Sequence, residues 1–147
     1  MREEIWFDMD GTIADLYGVD GWLNDLINED TRPYKSAGTM LNMQVLARLL
    51  NKLIRKGYKV GVISWTSKNG SESYKKEIEK VKKEWLKKHL RSVEFSEIHI
   101  VDYGTPKSIF AKNPNAILFD DEEKNRKEWK GIAYDVENIL EVLKGVA

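Results

Sequence analysis

The chain of 147 residues contains no cysteine. That removes disulfides, thiolate metal sites and cysteine nucleophiles together. Histidine is almost as scarce: His89 and His99 fall in different segments without ligand spacing, so both read as surface or strand residues and any metal has to be held by oxygen. An excess of one charge is missing too. The 24 Lys and Arg balance 24 Asp and Glu, and a formal charge of zero gives no reason to expect strong nonspecific attraction to nucleic acid. No apolar run approaches the length that spans a bilayer. The opening residues MREEIWF carry neither a long apolar region nor a small-residue cleavage site, which sets the expectation of no secretory signal and a cytoplasmic location. Internal repeats and low-complexity stretches are absent.

What is present is the balance of a globular chain, 41% hydrophobic and 33% charged, with enough length for one core, so residues 1–147 are expected to form a single domain. Short apolar runs alternate with helix-patterned stretches, the signature of a parallel sheet covered by helices. Strands are predicted at Glu4 to Asp8, Lys59 to Ser64, Glu97 to Val101, Ala116 to Asp120 and, more weakly, Gly131 to Tyr134. Leu46, Leu49, Leu50, Leu53 and Ile54 follow helical spacing, with Gly57 as a stop. A second helix, about Ser71 to Leu90, has the apolar stripe Tyr74, Ile78, Val81, Trp85 and Leu86. Its lysines, including Lys75, Lys76, Lys82, Lys83, Lys87 and Lys88, interleave with glutamates and read as a solvated face. A further helix is expected from Lys107 to Lys112, capped by Thr105 with Pro106 in its first turn, and a last one from Val136 to Leu143 behind Asp135. Only residues 18–39 fall outside the alternation. They hold a helical piece around Gly21 to Glu29 and are too few for a domain, which suggests a short flap.

Parallel strands place their carboxyl ends on one edge, where open sheets bind ligands. The chain sends Asp8 and Asp10, Ser64, the loop leading to Lys107, and Asp120 with Asp121 to that edge. The opening run IWFDMDGTIADL contains Asp-Met-Asp-Gly-Thr directly after a predicted strand; the pattern Asp-x-Asp-Gly-Thr alone has a chance probability on the order of one in a thousand in a chain this long, and its place after a strand strengthens the signal. Gly11 would let the chain turn sharply away so that both carboxylates face the crevice. Crowded carboxylates repel one another, and the usual relief is a divalent cation. Oxygen-only ligation suits magnesium, which shares its shell with a substrate phosphate.

Taken together, DMDGT, VISWTSKN, Lys107 in GTPKSIF and ILFDDEEKN resemble, in order, the motifs of the haloacid dehalogenase (HAD) superfamily of phosphotransferases, over residues 5–125. The resemblance implies a Rossmann-like α/β domain of about five parallel strands with helices on both faces and a minimal or absent cap. It implies a Mg2+-dependent phosphomonoester hydrolase. Asp8 would be the nucleophile that becomes an aspartyl phosphate, and Asp10 the acid and base, which also offers its main-chain carbonyl to the metal. Ser64 would donate to a phosphoryl oxygen, helped by a neighbouring amide, and Lys107 would balance charge. Asp8, Asp10, Asp120 and Asp121 form the expected metal set, with Asp121 as the direct ligand of the last pair. Gly11, Thr12 and Trp65 adjoin these groups and are expected beside the substrate.

An acid at position 10 favours phosphoester chemistry over dehalogenation, and the small flap leaves the site nearly open, favouring a hydrolase over a mutase. An open site accepts a bulky phosphoester or is covered by a second subunit of a homo-oligomer. Trp22, Arg32 and Tyr34 of the flap could stack on or grip a nucleotide or a nucleic-acid terminal phosphate, the first expectation for substrate. Three rivals compete. A receiver-type signalling domain would place its acidic pair after the first strand. A catalytically silent HAD-fold binding or regulatory module is the alternative function, although none of the acids is lost. A nucleic-acid-binding protein would use the basic helix, with steep salt dependence.

Overall fold

The computed structural model describes residues 2–147. In chain order its strands are β1 (Glu4–Phe7), β2 (Ala14–Asp15), β3 (Gly38–Thr39), β4 (Lys59–Trp65), β5 (Glu97–Val101), β6 (Ile117–Phe119) and β7 (Ile132–Tyr134). The helices are α1 (Trp22–Ile27), α2 (Arg32–Ser36), α3 (Met43–Arg55), α4 (Glu72–His89), α5 (Glu123–Glu128) and α6 (Ile139–Val146). Five strands form one sheet in the order β5-β4-β1-β6-β7, every pair parallel. The chain runs outward from β1 through β4 to β5, then returns to β6 on the other side. The switch in direction therefore lies beside the central strand, where such sheets open a crevice at their carboxyl edge.

Central position explains the composition of β1. Its four residues are buried, as expected for a strand covered on both faces. Ile5 and Phe7 face the larger core, with Leu46, Leu50 and Leu53 of α3, Ile139 and Leu143 of α6, and Trp85 and Leu86 of α4. Trp6 faces a smaller one with Ile63, Leu118 and Trp129, flanked by Phe110 and Ala111. On the adjacent strand Gly61 is required, because a Cβ there would run into the Trp6 ring. Asn42 caps α3 by accepting the Val45 N–H, and Ser71 caps α4 by accepting that of Tyr74.

The helix expected from Lys107 to Lys112 is instead a single 3-10 turn, Lys107–Phe110. Glu4 explains the early stop: its buried carboxylate accepts the Lys112 and Asn113 N–H groups, drawing the chain out of helical geometry. Thr105 does not cap that turn; its hydroxyl donates to the Asp102 carbonyl. The last helix likewise begins as a 3-10 turn, Val136–Asn138, behind Asp135, and becomes α-helical at Ile139.

The segment between β1 and α3 is more ordered than a loop. β2 and β3 pair as a two-residue antiparallel ribbon, and α1 and α2 stand between them. Arg32 ties the two helices together, donating to Asp25 Oδ2 at 2.6 Å and to the Asp20 carbonyl at 2.6 Å. The unit is docked on α4, where Glu29 accepts the Ser71 N–H and hydroxyl at 2.8 and 2.7 Å and Tyr74 donates to the Asp30 carbonyl. No helix of the described residues is long and apolar enough to cross a membrane.

Candidate active site

Pairing of β1 with β6 sets Phe7 opposite Phe119, so Asp8 and Asp120 leave the sheet side by side at the switch point. Asp8 is held at both oxygens: Lys107 donates to Oδ1 at 3.0 Å and Thr12 to Oδ2 at 2.9 Å. Lys107 also donates to Asp120 Oδ2 at 2.7 Å. Asp120 is fully buried, and further donors reach it from the Glu122 N–H at 2.9 Å and Asn125 Nδ2 at 3.2 Å. Asp121 is more open. Carboxylate oxygens of Asp8, Asp120 and Asp121 lie within 4.8 Å of one another.

Lys107 is the only cation among the described residues that contacts the carboxylates of this cluster, and it reaches Asp8 and Asp120 but not Asp121; Arg126 reaches only the Asp120 carbonyl, at 3.0 Å. The shortfall shows in the acidities. Burial, then the Asp8 charge, pushes Asp121 up to about 8 and Asp120 up to about 6. For Lys107 burial acts to lower the pKa, but the two carboxylates outweigh it and hold the ammonium above the ordinary lysine range. An all-oxygen cluster with more negative charge than the chain neutralises fits a hard divalent cation such as Mg2+.

Gly11 and Thr12 work beneath the floor of this site and do not line the cleft. Gly11 has φ +78°, and a Cβ on it would run into the Asp121 carboxylate. Thr12, fully buried, accepts the Asp121 N–H at 3.2 Å while donating to Asp8. Ser64 is likewise fully buried, behind the wall rather than in it. The sequence signal for Ser64 was its place at a strand end, which does not say how deep the hydroxyl lies.

Asp10 stands apart from the acidic cluster, its carboxylate turning to Lys82 at 2.8 Å. Burial raises the Asp10 carboxyl above its usual range; Lys82 opposes that rise and Asp8 adds to it. Lys82 itself contradicts the solvated reading of its helix face. It is 1% exposed, whereas Lys76, Lys83, Lys87 and Lys88 are exposed as expected. A signal existed: Lys82 follows Ile78 by four residues and precedes Leu86 by four, which places it on the apolar stripe.

The cleft above the acids has a volume of about 310 Å³. Asp8, Asp10, Lys107, Asp120 and Asp121 form its floor. One wall carries Trp65 and Tyr103, whose rings lie 4.9 Å apart, with Trp65 fixed by donation to the Thr105 carbonyl. The facing wall carries Tyr17 against Trp22, edge to face at 4.9 Å, and Tyr34. Burial first, and then Asp10, keeps the Tyr17 and Tyr34 phenols neutral far above the ordinary range. Thr66 Oγ1 and Ser67 Oγ belong to wall residues and are buried without a hydrogen-bond partner. Trp22, Tyr34 and Trp65 therefore line the cleft. Arg32 does not, its guanidinium being spent on Asp25 and Asp20. Sequence reading missed Lys82, Asn125, Tyr17, Tyr103, Thr66 and Ser67; besides Lys82, a signal existed for Thr66, Ser67, Tyr103 and Asn125, which follow strand ends at short distance.

No family model matches the chain, and no curated protein matches it. Its fold does match solved structures, among them D,D-heptose 1,7-bisphosphate phosphatase from Burkholderia thailandensis, with a TM-score of 0.53 and 15% identity over 86% of this chain and 70% of that one. At this identity the likeness speaks for the fold. The chain is a single α/β domain whose five-stranded parallel sheet, flanked by helices, has the Rossmann-like arrangement expected from the HAD resemblance.

Proposed function

We propose that the chain is a phosphomonoester hydrolase working through an aspartyl phosphate on Asp8. The observation that carries this reading is the convergence of Asp8, Lys107, Asp120 and Asp121 at the switch point, with Asp10 in the same cleft but outside the acidic cluster. Asp8 attacks phosphorus, the ester P–O bond breaks, and Asp10 gives its proton to the leaving oxygen. Water then attacks phosphorus, its proton passes to Asp10, and the bond to Asp8 breaks to release phosphate. Lys107 steadies Asp8 and, with two of its three N–H donors used on carboxylates, keeps one for a phosphoryl oxygen. Mg2+ held by Asp8 and Asp121, with Asp120 in support and the Asp10 carbonyl nearby, would neutralise the phosphoryl charge. Asp120 suits the supporting part because it is fully buried, whereas Asp121 is more open to the cleft.

Aromatic residues on both walls support a leaving group with a planar ring, and a nucleotide or nucleic-acid terminal phosphate is the class proposed. A volume of about 310 Å³ is at the small end for ligand pockets, which favours one ring over the acids rather than an enclosed polymer. The test is turnover of 4-nitrophenyl phosphate and of nucleoside monophosphates with Mg2+, with chelator, and with Asp8→Asn. Turnover abolished by chelator and by the substitution is expected. Rates indifferent to both would overturn the mechanism, and no turnover on any of these esters would favour a binding module.

A further inference from the structure

Lys82 is a charged side chain in the interior, and an interior ammonium is tolerated only when its donors are met. Its Nζ donates to Asp10 Oδ2 at 2.8 Å, Ser64 Oγ at 2.7 Å and the Trp65 carbonyl at 2.8 Å. The Tyr34 ring covers it, with Nζ 5.1 Å from the centroid. An ammonium has three N–H donors, so all are spent. Lys82 therefore has none for a phosphoryl oxygen, and in this it differs from Lys107.

We propose that Lys82 is a positioning residue for the reaction: by holding Oδ2 of Asp10 it makes Oδ1 the oxygen that carries the proton to the leaving group. The inference rests on the hydrolase reading above. Oδ1 has no hydrogen-bond partner among the described residues, and Asp10 lines the cleft with 18% of its side chain exposed. A proton cannot share the lone pair that faces an ammonium, so the protonated form of Asp10 carries it on Oδ1. In the first step that proton passes to the ester oxygen as the P–O bond breaks and the Asp8 oxygen bonds to phosphorus. In the second, Oδ1 takes a proton from the water that attacks phosphorus as the bond to Asp8 breaks. Without Lys82 the carboxyl group can turn about its bond to Cβ and offer either oxygen, or neither, to the ester.

The same ammonium fixes two neighbours. It occupies a lone pair of Ser64, fixing the direction of that hydroxyl, and it anchors the carbonyl of Trp65, whose ring forms a wall of the cleft. Through Tyr34 it also touches the flap, so one buried charge joins α4, the end of β4, the turn after β1 and α2.

The test compares benzyl phosphate, whose alkoxide needs a proton in order to leave, with 4-nitrophenyl phosphate, whose phenolate leaves without one. With Mg2+ present, Lys82→Met should lower kcat/KM, which reports the step in which the alcohol leaves and not the later hydrolysis common to both esters, by about 100-fold for the benzyl ester and by less than about fivefold for the nitrophenyl ester. Asp10→Asn should shift the ratio of the two rates in the same direction. That ratio does not depend on how much of a preparation is folded, so a destabilised variant still reports. If Lys82→Met gives no folded protein, Lys82→Ala is assayed with n-propylammonium and with n-propanol, and only the amine should restore the benzyl-to-nitrophenyl ratio. A wild-type ratio in Lys82→Met beside a lowered one in Asp10→Asn, or equal rescue by amine and alcohol, would reduce Lys82 to a structural part and leave the hydrolase reading standing. Absence of wild-type turnover on both esters would sink both.

Discussion

Asp8 shows how closely the acidic cluster is specified one side chain at a time. Its two oxygens are held by an ammonium and a hydroxyl, and that hydroxyl, on Thr12, also accepts the amide of the next acid along the edge. Thr12→Val keeps the shape and removes both bonds. It should cost about 1–3 kcal/mol of stability, because the Asp121 N–H is then left without its partner. Turnover should fall as well, since Asp8 and Asp121 lose their common anchor. Chemical denaturation and steady-state kinetics on the same preparation check this, and unchanged values in both would remove Thr12 from the site. Side-chain identity and order along the chain were enough to find Asp8, Asp10, Lys107, Asp120 and Asp121, because each sits at or just past the end of a strand. Depth was not readable in that way. Ser64 lies behind the wall, and Lys82, surrounded by other lysines, was masked by composition although its spacing matches the apolar stripe.

At the level of elements, the flap and α4 act together. α1 and α2 are too short to be stable alone, and they are held by Arg32 internally and by Glu29, Tyr34 and Asp30 against α4. The side this unit turns to the cleft carries Trp22 and Tyr34, opposite Trp65 and Tyr103. If a substrate ring stacks between these walls, Trp22→Ala should raise KM for a nucleoside monophosphate about tenfold, the size of one modest stacking contact, with a smaller change in kcat. An unchanged KM would move the ring elsewhere. The sequence marked this segment as an insertion and proposed Arg32 as a grip, yet arginine has a closer use. The Asp25 carboxylate lies seven residues away and one helical turn past the start of α1, so the guanidinium closes the flap on itself.

For the molecule as a whole, the acidic edge links acidity, metal and stability. In the folded chain Asp120 and Asp121 keep their protons up to about 6 and about 8, against 3.8 for an ordinary carboxyl. Between those values the folded state binds more protons than the unfolded one. The contribution of the pair to stability therefore falls as pH rises from about 4 to about 8. Mg2+ competes with those protons, so its stabilising effect should grow across the same window. The rise in melting temperature on adding Mg2+ in place of chelator should be larger at pH 8 than at pH 5. An equal rise at both would show that the cation binds away from Asp120 and Asp121.

By itself the sequence determined the alternation of strands and helices, the order in which acids reach the sheet edge and the small size of the flap, because hydrophobic period and strand-end position are local properties of a chain. It overextended the helix after Lys107, since the Glu4 carboxylate that stops it comes from 108 residues away. Which oxygen of Asp10 is held, which lysine is buried and which aromatics face one another across the cleft were decided only when α4 and the flap closed over the end of β4. Those relations depend on distances between segments far apart in the chain, and only packing sets them.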